Sequence, residues 1–206
     1  KGLLMFDFLQ KAKPRRMRIV RHGHPALRKR SEPVTAITPE LVALAERMIV
    51  TMQENEVVGV GLAAPQVGVN IRLIVIDTRS EKDDSDPAVL SPGEALLNPR
   101  MPLALVNPEI VSSSAETECA GEGCLSVPDV SGEVTRPARV ILRAKSLAGE
   151  ELQVECGHLL SRCLQHEIDH LDGVLFIDRI SAEEQKIAAP TLARMEKAEQ
   201  RRLASR

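Results

Sequence analysis

The segment from His158 to Gly173 constrains this chain more than any other. Leu159, Leu160, Cys163, Leu164, Ile168 and Leu171 spread around its helical circumference, which predicts a largely buried helix starting near His158. The same segment carries His166-Glu167-Ile168-Asp169-His170, an H-E-x-x-H pair. Imidazoles four positions apart leave a helix on one face. They can hold one divalent metal there, and Glu167 beside them can serve as a general base for water. The reaction class this suggests is metal-assisted hydrolysis.

The rest of the core must be aliphatic. The 206 residues include no Trp or Tyr, and the only Phe are Phe6, Phe8 and Phe176, yet hydrophobics reach 43%. That length and composition suit one domain with a sizeable core. A net charge of −2 gives no basic field for nucleic acid, so no direct sequence-specific nucleic-acid binding is expected. No apolar run approaches the roughly 20 residues of a bilayer span, so no membrane association is expected. Cys119, Cys124, Cys156 and Cys163 could form disulfides in a secreted chain, but no signal-peptide pattern stands at the N-terminus. Reduced thiols in a cytosol, one of them a metal ligand, are the better reading. Lys11, Lys13, Arg15, Arg16 and Arg18 make the first residues basic, which reads as a frayed extension.

Thr38-Pro39-Glu40 reads as N-cap, first-turn proline and acidic first turn, opening a helix that ends near Glu54-Asn55. Gly59 to Gln66 reads as a shaped loop or edge strand, and Ile71 to Asp77 as a strand. Arg79 to Pro102 reads as a long polar surface insertion, mobile at its tip. Leu105 to Val111 reads as another strand. Glu133 to Lys145 and Glu150 to Cys156 read as a hairpin joined through Ser146-Leu147-Ala148-Gly149. Ser181 with Glu184 makes a capping box for a C-terminal helix, which Pro190 should break or kink.

An open catalytic site needs a third protein ligand. Zinc endopeptidases of the H-E-x-x-H kind take it from downstream. Here no His follows His170, and Glu183, Glu184 and Glu196 lie on a polar helix. Upstream stands Cys124, inside Glu122-Gly123-Cys124-Leu125-Ser126, and a Cys, His, His site is the better constellation. The endopeptidase remains the alternative.

Three segments, in order, resemble the signatures of the peptide deformylase family, in its type 1 branch, bacterial or organellar. Gly59 to Gln66 is similar to G-x-G-L-A-A-P-Q, Glu122 to Ser126 to E-G-C-L-S, and Gln165 to His170 to Q-H-E-x-D-H. The resemblance runs from about Met17 to Ile180. It implies an α+β fold, with antiparallel strands packed around a central metal-binding helix and helices at both ends. The expected organisation is a basic extension over residues 1–16, the catalytic domain of the resemblance over 17–180 and a C-terminal helix over 181–206.

The implied activity is removal of the formyl group from the N-terminal formylmethionine of nascent polypeptides, releasing formate. Cys124, His166 and His170 would hold one divalent ion, Fe(II) first, with Zn, Ni or Co as alternatives. Glu167 would move the proton, and the Gln66 amide and Leu125 N–H would stabilise the oxyanion. Val60, Gly61, Glu122, Gly123, Leu159, Arg162 and Cys163 would meet the substrate. Asp169 would orient a partner, with Arg136 the candidate. The basic C-terminal helix could dock on the ribosome, and the protein would be cytoplasmic in bacteria or organellar. His22, His24 and His158 read as capping or surface residues. A ribosome-binding relative without activity is disfavoured, because Glu167 and Cys124 are both present.

Overall fold

The richness in β-branched residues at 71–77 is explained by a strand buried on both faces. The computed structural model describes residues 14–55, 57, 59–79 and 90–205. In chain order these form α1 (Pro39–Gln53), β1 (Gly61–Ala63), β2 (Leu73–Ile76), α2 (Pro92–Leu97), β3 (Leu103–Ser113), β4 (Thr117–Cys124), β5 (Val127–Pro137), β6 (Val140–Lys145), β7 (Glu151–Cys156), α3 (His158–Leu171) and α4 (Ala182–Ala204). Five strands make one antiparallel sheet in the order β1-β2-β3-β6-β7, and β4 and β5 form a separate two-stranded ribbon.

Leu73 and Val75 of β2 face one way, onto Ala45, Met48 and Met52 of α1. Ile74 and Ile76 face the other way, onto Leu160, Leu164 and Ile168 of α3. Period-2 side chains and helices on both sides make every residue of β2 buried. A third cluster, with Val127, Val134, Phe176 and Ile180, seats Leu192 and Met195 of α4 against the ribbon. The α+β architecture expected from the sequence is the one observed, with α3 between the sheet and the ribbon. Arg162 and Gln165 of α3 donate to main-chain carbonyls of Val134 and Pro137 in β5, at 3.0 and 2.9 Å.

Local signals set several boundaries. Thr38 caps α1 by accepting from the Leu41 N–H at 3.3 Å, and α1 ends at Gln53, as the sequence indicates. Ser181 and Glu184 make the reciprocal bonds of a capping box for α4. The hairpin turn at 146–149 is present, with Gly149 at φ +84°.

Three expectations need correction. The strand expected from Glu133 to Lys145 is two strands in different sheets. Pro137 has no N–H to extend the β4–β5 ladder, and the chain crosses to the large sheet before Val140. Pro190 does not break α4, which runs through it. It lies on the exposed face, while Ala188, Leu192 and Met195 hold the docked face. The segment from Arg79 to Pro102 is not all surface insertion, because α2 is packed against β7. Its supposed tip lies at 80–89, and most of the basic extension at 1–13, both outside the described residues.

Ser91 explains why α2 forms. Its Oγ accepts from the Glu94 N–H at 3.3 Å and from the Gly157 N–H at 3.0 Å, and donates to the Glu94 carboxylate at 2.8 Å. One hydroxyl thus caps α2 and ties it to Gly157, the N-cap of α3. Gly93 permits the close approach, since an added Cβ would lie 2.5 Å from Cys156 Sγ. Ser91→Ala is expected to lower stability by about 1–3 kcal/mol, read as a shifted midpoint in urea unfolding at unchanged slope.

Candidate active site

Glycine at 61 lets the edge of the sheet touch the metal-motif helix. An added Cβ on Gly61 of β1 would lie 2.4 Å from Glu167 Oε1 of α3. The turn Ala64–Val67 that follows β1 turns Gln66 inward, where its Oε1 accepts from the Ala63 N–H at 2.8 Å. The oxygen is thereby fixed, so the amide nitrogen is the end left to point into the site. It donates to Cys124 Sγ at 3.4 Å and Ser126 Oγ at 3.3 Å.

Cys124 ends β4, at an irregularity between Gly123 and Cys124 that turns the chain out of the ladder. Its sulfur meets His170 Nε2 at 3.2 Å. Ligand atoms of Cys124, His166 and His170 all lie within 4.8 Å of one another, the one such cluster of three among the described residues. The imidazoles of His166 and His170 lie nearly perpendicular, 5.0 Å apart between centroids.

Glu122 is the hub beside them. Its Oε2 meets His166 Nδ1 at 2.9 Å, which leaves Nε2 to face the cluster. Arg136 grips the same carboxylate through two nitrogens at 2.6 and 2.9 Å, and Arg162 adds a contact at 2.8 Å. Burial opposes the charged form, yet Arg136 and His166 hold the Glu122 carboxyl well below the usual carboxylate range. Arg136 also pairs with Asp169 at 2.8 Å, the partnership expected from the sequence. The guanidinium of Arg162 is turned to the ribbon, donating to the Glu118 and Val134 carbonyls, so only its stem is left for the cleft.

Glu167 has the opposite environment. Burial pushes its carboxyl up to about 7, and the neighbouring His166 and Arg136 only partly oppose this. Its Oε2 is buried without a hydrogen-bond partner among the described residues. Such an oxygen, beside a Cys and two His donors, fits a site for a divalent ion with an activated water. The mixed thiolate and imidazole donor set suits Fe, Zn, Ni or Co rather than Mg or Ca.

The cleft above these groups is about 580 Å³. Val60, Gly61, Gln66, Glu122, Gly123, Cys124, Leu125, Leu159, Arg162, Cys163, His166 and Glu167 all line it, so the sequence-derived residues converge, with His170 beneath. Burial pushes the Cys163 thiol well above its usual range, which fits a wall residue. All four cysteines are free, as expected. His24 caps the turn Pro25–Arg28, accepting from the Ala26 N–H at 3.1 Å, and His158 pairs with Glu94 at 2.9 Å. Arg21 and Asp129 also line the cleft and were missed. Arg21 lies about a hundred positions from the nearest motif it touches, and nothing in its neighbours in sequence marks it.

A Cys, His, His cluster with a buried glutamate, set between an edge strand and a ribbon, defines a metal-dependent hydrolase. The family model of polypeptide deformylase matches residues 16–186. The peptide deformylase of Salinibacter ruber is 43% identical over 174 residues, covering 84% of this chain and 85% of that protein. Peptide deformylase 2 of Gloeobacter violaceus is 44% identical over 170 residues, covering 82% and 81%. The crystal structure of peptide deformylase from Plasmodium falciparum superposes with a TM-score of 0.76 at 32% identity, covering 89% of this chain and 97% of that one. The chain belongs to the polypeptide deformylase family.

Two substitutions probe this geometry. Arg136→Ala strips the buried Glu122 and Asp169 of their shared cation and is expected to cost about 3–5 kcal/mol of stability, measured by chemical unfolding. Gly61→Ala pushes the Glu167 carboxylate aside. A displacement of about 1 Å is expected to lower kcat on the order of 100-fold, while the unfolding midpoint moves little.

Proposed function

We propose that the chain hydrolyses the N-formyl group of N-formylmethionyl nascent peptides, releasing formate and a free N-terminal Met. The observation that carries this reading is the identity of the third donor. Cys124, from a strand end upstream, completes the cluster with His166 and His170, where an endopeptidase of the H-E-x-x-H kind would use a downstream His or Glu. Glu183, Glu184 and Glu196 stand on α4, away from the cluster, and Glu184 is engaged at Ser181 and Glu133.

Cys124, His166 and His170 would hold the ion, which when bound supplies Lewis acidity and makes water nucleophilic near neutral pH. Glu167 takes the proton of the attacking water and returns it to the leaving amine. Its raised carboxyl suits both transfers, because a group that titrates near the working pH can accept and give. The Gln66 amide, fixed by the Ala63 N–H, and the Leu125 N–H stabilise the oxyanion that forms at the formyl carbon. Glu122 holds His166 in the tautomer that presents Nε2.

Leu159, Cys163 and the stem of Arg162 receive the methionine side chain. The peptide backbone extends along β1 at Val60-Gly61 and along Gly123, as an added strand on an exposed edge. On this reading Fe(II) is the resident ion. A thiolate makes a metal less electrophilic than a third imidazole would, and Zn, Ni or Co are alternatives in purified protein. The catalytic domain is 17–180, with α4 docked on it. Arg194, Lys197 and Arg201, exposed on α4, would face the ribosome. No helix among the described residues is long and apolar enough to cross a membrane. The reading puts the enzyme where formylated chains are made, the bacterial cytoplasm or an organelle.

The test is formate release from a formyl-Met peptide by anaerobically prepared protein loaded with Fe(II) or Ni(II). Glu167→Ala is expected to lose about 100- to 10,000-fold in rate with its metal content unchanged. A folded, metal-loaded wild type that releases no formate would overturn the proposal, and cleavage of an internal bond in an unformylated peptide would favour the endopeptidase.

A further inference from the structure

Arg21 lies outside every motif, yet its side chain reaches the site. Its guanidinium donates to the Leu125 carbonyl, and it lines the cleft. The peptide group it meets is engaged at its other end too, for the Ser126 N–H donates to Cys124 Sγ at 3.4 Å. A cation, a peptide group and the candidate ligand sulfur thus form one hydrogen-bonded chain.

The main chain around Arg21 is held from two sides. Val20 N–H donates to the Gln66 carbonyl at 2.8 Å, and His22 N–H donates to the Ser126 carbonyl at 2.9 Å. These bonds tie one short segment to both loops that carry the expected oxyanion donors. On the far side, Arg18 pairs with Glu199 of α4 at 3.1 Å. The Gly23 backbone lies so near α4 that an added Cβ would stand 2.6 Å from Glu196 Cα. Arg21 is therefore delivered to Leu125 by a fixed segment rather than by a free side chain.

A positive charge on a carbonyl oxygen draws electrons through the amide and strengthens the donor at its nitrogen. Here that donor points at the sulfur. A stronger hydrogen bond to a thiolate withdraws its lone pair and lessens its donation to a bound ion, which leaves the ion more electrophilic. We propose that Arg21 is a positioning residue that acts through the Leu125–Ser126 peptide on the Cys124 sulfur. It offsets the loss of electrophilicity that a thiolate ligand brings. This rests on Cys124 being a metal ligand.

Cobalt(II)-loaded protein gives the test a readout other than turnover, the sulfur-to-metal charge-transfer band. Arg21→Ala is expected to move that band to lower energy. It should also lower kcat by about 10-fold while KM for a formyl-Met peptide stays nearly constant. Arg21→Lys, which keeps the charge, should fall between the variant and the wild type in both. If Arg21→Ala does not fold, Arg21→Gln, which keeps most of the stem and drops the charge, takes its place with the same expectations. An unmoved band with unchanged kcat would overturn the proposal. So would a raised KM with the band unmoved, which would make Arg21 a substrate contact. Cys124→Ser separates this failure from that of the underlying reading. If the wild type shows no band that Cys124→Ser removes, Cys124 is not a ligand and both fall.

Discussion

Two imidazoles and a carboxylate project from one helix into a core built almost wholly of aliphatic side chains, and the surrounding architecture answers the cost of putting them there. A buried polar group without a partner is unfavourable by a few kcal/mol, and a buried charge by more. Glu122, Arg136, Arg162 and Asp169 form the answer on one side of α3, a network in which every carboxylate has a cation and His166 has its Nδ1 engaged. A network of this kind is only as good as its least satisfied member. Its three anchoring elements, β4, β5 and α3, are therefore fixed relative to one another, and the cluster of Cys124, His166 and His170 gains its geometry from that.

The same physics produces opposite results at two glutamates. Glu122 is buried among cations and stays ionised, so it can hold an imidazole. Glu167 is buried with weaker support, and its carboxyl rises towards neutrality. One carboxyl is held ionised and the other is pushed towards its neutral form. The difference comes from the deeper burial of Glu167 and from the cations that grip Glu122. Glycine adds the remaining ingredient. At Gly61 the missing Cβ lets a strand edge lie against the Glu167 carboxyl.

Several features could be read from residues in series. Helix caps at Thr38 and Ser181, the buried character of α3, the H-E-x-x-H face and the turn at Gly149 depend on neighbours within a few positions, and periodicity reports those directly. Ser91-Pro92-Gly93-Glu94 carried the same kind of signal, a capping box, and it was hidden by the acidic, proline-containing stretch around it. The division of 133–145 between two sheets had a local cue in Pro137. Which sheet each half joins depends on β4, and that had no cue at all.

By itself the sequence determined the reaction class and the expected pairing of two imidazoles with a glutamate, because His166, Glu167 and His170 sit on one helix at a spacing fixed by its pitch. It also determined that the core would be aliphatic. Only the tertiary structure decided what holds those residues in place. The grip of Arg136 and Arg162 on Glu122, and the reach of Arg21 to Leu125, join positions 14 to 104 residues apart. Contacts over such separations leave no period or motif in the chain. They arise when packed strands and helices bring distant side chains within hydrogen-bond reach, and burial then requires that they pair.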